Sequence, residues 1–153
     1  MFQTLFLSPI GTLLIEGTRE AITAVKFVPA DTPVGVANKV VNAAKTQLRQ
    51  YFAGKRKTFD VPVDMSMCTP FQRKVLELVA AVELGQTTTY GELARKLKKV
   101  AGARAVGRAN ARNPISIIIP CHRVIATNGK LTGYGGGLPA KEWLLKHEKA
   151  LLV

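Results

Sequence analysis

Asn113-Pro114-Ile115-Ser116-Ile117-Ile118-Ile119-Pro120-Cys121-His122-Arg123-Val124 sets a run of isoleucines against a cysteine, an imidazole and a guanidinium. An apolar run of this length reads as a buried strand over Ile115–Ile119, and chemistry tends to appear where such a strand stops. Pro120 has no N–H to give to a ladder, so the predicted strand ends there. Cys121 then arrives at a fixed point at the edge of a core. A thiol reacts as its thiolate, and nearby positive charge or a base raises the thiolate fraction. Cysteine is also among the most buried residue types and can serve as a small hydrophobe. The adjoining His122-Arg123 pair and the Asn113-Pro114 turn favour the nucleophile.

Upstream of this stretch the pattern is helical. Thr69-Pro70-Phe71-Gln72 reads as a helix start, with Thr as N-cap, Pro in the first turn and Gln completing a capping box. Phe71, Val75, Leu78, Val79 and Val82 continue as one apolar stripe until Gly85. Thr89-Tyr90-Gly91-Glu92 repeats the capping pattern ahead of a short helix with Leu93, Ala94 and Leu97. A third helix is expected from about Ala101 to Ala111. Two short helices in succession, the second basic and rich in Ala and Gly, read as a helix-turn-helix. Arg104, Arg108 and Arg112 recur every four residues and so share one face of it.

The first part of the chain has a different texture. Strands are expected at Phe2–Leu7, Thr12–Glu16 and Ala21–Val28, then a helix through Val40, Val41, Ala44, Leu48, Tyr51 and Phe52. Thr58–Val63 reads as a returning strand, and the basic Lys55-Arg56-Lys57 as a solvated helix end. The expected fold class is α+β. A small N-terminal sheet-plus-helix domain (residues 1–64) is followed by a mostly helical domain (residues 65–153) that contains the helix-turn-helix.

Charge follows the same division. The formal net charge is +12; residues 65–153 hold fourteen Lys/Arg against five acids, and residues 1–64 eight against five. Basic charge concentrated on one part suggests a polyanion, with nucleic acid ahead of a membrane surface. No apolar run approaches the length needed to cross a bilayer, and the N-terminus shows no secretory pattern. A reduced pair, Cys68 and Cys121, in a cytoplasmic protein is the expectation. Cys68, Cys121, His122 and His147 lack ligand-pair spacing, and the first sixty residues hold neither Cys nor His, so no metal is expected.

Pro120–Val124, together with Arg104-Ala105-Val106-Gly107, Asn113-Pro114, Gly133-Tyr134 and Lys141-Glu142-Trp143-Leu144-Leu145 with His147-Glu148, resembles the O6-alkylguanine-DNA alkyltransferase family in order and spacing. The resemblance implies irreversible transfer of a methyl or small alkyl group from guanine O6, less readily from thymine O4, to Cys121. It implies a single turnover, no cofactor, a monomer in solution, and double-stranded DNA containing O6-alkylguanine as partner. In the family pattern His122 is the base, acting through a bridging water, and Glu148 orients it. Tyr90 contacts the extruded base and donates to its ring nitrogen. Arg104 matches a finger that fills the gap in the stack, and Arg108 and Arg112 hold DNA. Val124, Tyr134, Gly135 and Asn113 shape or brace the substrate pocket. The residues themselves leave Tyr90 open between this role and core packing, and Arg123 reads as a brace. Two rivals remain at this level: a non-catalytic helix-turn-helix lesion binder, and a thiol hydrolase for which the basic helices would have no use.

Overall fold

A computed structural model describes residues 1–98 and 102–150. The chain has an α+β fold and divides into two compact units. The first comprises Met1–Met65 with Pro114–Ile118; the second comprises Ser66–Asn113 with Ile119–Val153.

The first unit is an antiparallel sheet of β1 (Phe2–Ser8), β2 (Gly11–Gly17) and β3 (Ile22–Val28), in that order, with α1 (Lys39–Phe52). Ser8 pairs with Gly11 across the first turn, and Gly11 adopts φ 130°, a value open to glycine. The central strand β2 buries Thr12, Leu13, Leu14 and Ile15 in succession, as a strand covered on both faces must. Val41, Ala44, Leu48 and Tyr51 form the buried stripe of α1. The side chain of Asn38 caps this helix by accepting from the Val41 N–H at 3.0 Å, and Gly54 at φ 76° ends it.

Two expected strands are replaced by isolated bridges. Thr58–Val63 forms only a parallel bridge between Val63 and Ile22, because Pro62 offers its carbonyl to Ile22 but has no N–H with which to extend the ladder. Ile115–Ile119 likewise forms isolated bridges and no strand, with Ile115 paired to Val25. At Ile117 the backbone turns to φ 72°, and the Ile118 N–H bonds back to the Ser116 carbonyl at 2.8 Å. That is a γ-turn of the positive-φ kind, rare for a β-branched residue. Ile115, Ile117 and Ile119 are all buried, so the alternating burial of a strand persists beyond the two hydrogen bonds that flank Ile115.

In the second unit α2 (Pro70–Ala80), α3 (Tyr90–Lys96), α4 (Ala103–Ala111) and α5 (Leu138–His147) surround a short parallel pair, β4 (Thr88–Thr89) with β5 (Val124–Ile125). Val75, Leu76, Val79, Leu93, Val106, Leu144 and Leu145 supply its core. Thr69 and Thr89 cap α2 and α3 through their hydroxyls as expected. The reciprocal half of each capping box is redirected. Gln72 donates to the Arg112 carbonyl, and Glu92 pairs with Arg95. Ala101, the expected start of the third helix, lies outside the described residues. Trp143 is half-buried and stacks on His147 with ring centroids 4.8 Å apart.

Candidate active site and nucleic-acid interface

Pro120 adopts φ −82° and ψ 64°, and the Cys121 N–H returns to the Ile119 carbonyl at 2.8 Å. This inverse γ-turn leads into a single 3₁₀ turn, Cys121–Arg123, closed by the Arg123 N–H on the Pro120 carbonyl. The Pro120–Arg123 stretch is therefore a turn and not extended backbone. The fixed φ of proline and its missing N–H favour the turn over a continued ladder.

Cys121 is 7% exposed. Two amides from the end of α4 bracket it. Asn113 donates to the Ile119 carbonyl at 2.8 Å and also hydrogen-bonds the Cys121 side chain, while Asn110 donates to the Cys121 carbonyl at 3.2 Å. Burial pushes the thiol above its ordinary pKa, and Asn113 and the Lys141 charge pull it only part of the way back. At rest Cys121 is a thiol, and a base must take its proton.

His122 and Glu148 meet 2.7 Å apart with both side chains fully buried. Arg123 grips the same carboxylate through Nε at 2.8 Å and Nη2 at 3.1 Å, and its Nη1 donates to the Val82 carbonyl. Burial pushes Glu148 upward, yet hydrogen bonds from His122 and Arg123 overcome it and hold the carboxyl at about 2. Burial also lowers the His122 pKa against the opposing pull of Glu148. An ionised carboxylate can only accept, so it fixes the N–H of a neutral imidazole on Nε2. The other nitrogen, Nδ1, is buried and makes no hydrogen bond among the described residues. Its lone pair is available.

Lys141 is fully buried, and its ammonium donates to the Val124 carbonyl at 2.7 Å and the Thr132 carbonyl at 2.9 Å. The Thr132 hydroxyl lies 2.9 Å from the Tyr90 hydroxyl, and the Tyr90 ring lies against Gly107 of α4. Tyr134 stands edge-on to His122 at 6.3 Å, and burial raises its pKa well above the ordinary value. Cys121, His122, Glu148, Asn113, Val124 and Tyr134 thus come together. Lys141 and Thr132 connect them to Tyr90. Gly135 is exposed with open space where a side chain would begin. Arg104 and Arg108 are exposed on α4, and Arg112 is the residue that caps its C-terminus.

Sequence reasoning missed Lys141 and Asn110. A signal existed for both. Lys141, Leu144, Leu145 and Glu148 recur at helical spacing, as do Val106, Ala109, Asn110 and Asn113, so each polar residue falls on the inward stripe.

Comparison with known proteins accords with this geometry. A family model described as the 6-O-methylguanine DNA methyltransferase, DNA binding domain, matches residues 70–150. The ribonuclease-like domain of the same methyltransferase matches residues 1–65. The methylated-DNA–protein-cysteine methyltransferase of Methanosarcina acetivorans is 44% identical over 97% of this chain and 98% of its own length. That of Salmonella typhimurium is 48% identical over 82% of this chain and 69% of its own. The crystal structure of Mycobacterium tuberculosis OGT in complex with DNA superposes with a TM-score of 0.88 at 39% identity, covering 98% of this chain and 94% of that one. With its residues 1–65 and 70–150 matched by the two family models, the chain belongs to the 6-O-methylguanine DNA methyltransferase family.

Proposed function

We propose that Cys121 is the acceptor through which this chain carries out its family's reaction, with His122 as the base and Glu148 as its orienter. The protein repairs DNA by transferring an alkyl group to a cysteine of its own, as its methyltransferase relatives are named for doing. The observation that carries the assignment is the His122–Glu148 contact: a neutral imidazole held by an ionised carboxylate, one residue from the thiol, with its second nitrogen left to accept a proton.

In this reading the Cys121 proton passes to His122 Nδ1 through a water, and the sulfur attacks the alkyl carbon. The S–C bond forms as the carbon–O6 bond breaks. The departing guanine takes a proton at its ring nitrogen from Tyr90, whose hydroxyl is already positioned by Thr132. The thioether is stable, so each molecule acts once.

The alkylated atom lies inside the base stack, and a buried thiol reaches it only if the base is extruded. We assign Arg104 to the gap left behind and Arg108 and Arg112 to phosphates, with α4 in the minor groove. The Val124 carbonyl gives one lone pair to Lys141 and keeps the other for the guanine edge. Tyr134, Gly135 and Asn113 complete the pocket. We assign the chemistry to residues 65–153 as a functional domain, apart from residues 1–64, although Met65 and Pro114–Ile118 pack with the first unit. Among the described residues no helix is long and apolar enough to cross a membrane. An acceptor thiol must stay reduced, which supports a cytoplasmic setting.

The test is incubation with duplex DNA carrying labelled O6-methylguanine, followed by peptide mapping. Label on Cys121, lost in Cys121→Ser and retained in Cys68→Ser, is the expected result. Label on another residue, or transfer by Cys121→Ser, overturns the assignment.

A further inference from the structure

A groove of about 180 Å³ runs between the first turn of α2 and the outer side of α4. Phe71, Ala105 and Ala109 give it an apolar floor, and Gln72, Arg108 and Arg112 stand around it. Ala109 is buried and Phe71 half-buried, whereas both arginines are exposed. No acidic residue lines it. We propose that this groove seats one sugar-phosphate unit of the DNA backbone, with Arg108 and Arg112 closing on its phosphate. The proposal rests on the reading of this chain as a DNA alkyltransferase and adds a defined backbone subsite to it.

Three features favour this occupant. The first is charge. Arg56, Arg95 and Arg123 each pair with a carboxylate; among the described residues neither Arg108 nor Arg112 has an ion pair or a side-chain hydrogen bond. Two unneutralised guanidiniums one helical turn apart suit an anion with two free oxygens. Cations near a helix C-terminus also relieve its dipole, but that role needs no adjoining groove. The second feature is shape. A deoxyribose ring presents an apolar face that Phe71, Ala105 and Ala109 can cover while the phosphate stays at the rim. The third is rigidity. Gln72 donates from α2 to the Arg112 carbonyl at 3.0 Å, which ties the two walls together. A site fixed before binding loses less freedom when it binds.

The subsite also lies on the helix that carries Arg104. A phosphate held there would set the register of α4 along the strand, so that the arginine meets the correct base step. Phosphate contacts act in this way, positioning a protein without reading sequence.

The experiment is a binding scan with the full chain carrying Cys121→Ser, so that damaged DNA is bound without transfer. Each duplex contains one O6-methylguanine, which fixes the register, and a single uncharged methylphosphonate linkage moved stepwise along both strands. At one linkage, neutralisation should weaken binding about tenfold. The same substitution should have no effect on protein that also carries Arg108→Ala and Arg112→Ala. Ala105→Leu, which fills the groove and keeps both charges, should abolish sensitivity at that linkage too. If no linkage loses its effect in the arginine variant, or if Ala105→Leu retains full sensitivity, the groove is not a phosphate subsite. Transfer of a benzyl group from free O6-benzylguanine to Cys121 of the unaltered protein is measured separately. Failure there, together with failure to take labelled methyl from O6-methylguanine DNA, removes the alkyltransferase reading whatever the scan shows.

Discussion

His122 Nε2 and Glu148 Oε2 lie 2.7 Å apart in a wholly buried contact, and Arg123 holds the other side of the same carboxylate. One negative charge therefore serves two residues of the Cys121–Arg123 turn. It fixes the tautomer of His122, and it neutralises a guanidinium that also reaches the Val82 carbonyl. Removing that charge should disturb chemistry and stability together.

Glu148→Gln tests both. The amide keeps the shape but leaves Arg123 buried without its counter-ion, a loss of about 3–5 kcal/mol when one partner of a buried pair is removed. It also no longer enforces the Nε2–H tautomer. Transfer from O6-benzylguanine should slow by roughly 10²-fold or more, and the urea midpoint should fall. A variant with the parent rate would show that His122 needs no orienting carboxylate.

The same cluster sets a pH dependence. His122 is lowered from 6.5 and Glu148 from 4.5 to about 2 on folding. For both, the unfolded chain takes up protons at higher pH than the folded one. Their stabilising contribution is fully present above 6.5. It declines as pH falls below 6.5, where unfolded histidine protonates, and again from 4.5 towards 2, where unfolded glutamate does. The Glu148 share is about 3 kcal/mol. Thermal melts between pH 8 and pH 3 should fall progressively on the acid side, and a melting temperature unchanged over that range contradicts the linkage.

Lys141→Met separates packing from polarity in α5. The thioether fills most of the lysine's volume but leaves the Val124 and Thr132 carbonyls without their buried donor. An unsatisfied buried acceptor costs about 1–3 kcal/mol, partly offset by removing a charge that burial disfavours. The variant should fold with reduced stability. It should also transfer more slowly, because the cation that pulls the Cys121 pKa down is gone. A faster reaction would show that the positive charge hinders the thiol.

How far this site could be read in advance depended on which interactions were local. The Thr69 and Thr89 caps, the α4 arginine spacing and the Pro-Cys-His-Arg-Val stretch are short-range patterns, and they were legible. The fate of Ile115–Ile119 was not, because one γ-turn at Ile117 interrupts an otherwise strand-like alternation and nothing local to an isoleucine announces a positive φ. Gln72 looked like half of a capping box, and only the folded chain shows its amide spent on Arg112, forty residues away. Lys141 was hidden for the opposite reason. A lysine on an apolar stripe reads as surface until two distant carbonyls are seen to receive it.

The last prediction concerns the protein after its single turnover. Cys121 has little room: it is 7% exposed, its carbonyl is held by Asn110, and its side chain is bonded to Asn113. Asn110 belongs to α4 and Asn113 follows its C-cap, so whatever moves the turn pulls on the helix that carries Arg104. A thioether has no S–H, is a poorer acceptor than a thiolate and adds volume. Overpacking a tight site costs about 1–3 kcal/mol, a large share of the roughly 5–15 kcal/mol that holds a domain together. Alkylation should therefore lower the melting temperature, more for benzyl than for methyl. Amide exchange in 103–111 should speed up, since displacement of the turn strains the bond from Asn110 to the Cys121 carbonyl. Melts and exchange on the free, methylated and benzylated forms measure both effects. Alkylated protein that melts at or above the free form would falsify the strain argument, and would mean that the pocket around Cys121 relaxes without drawing α4 with it.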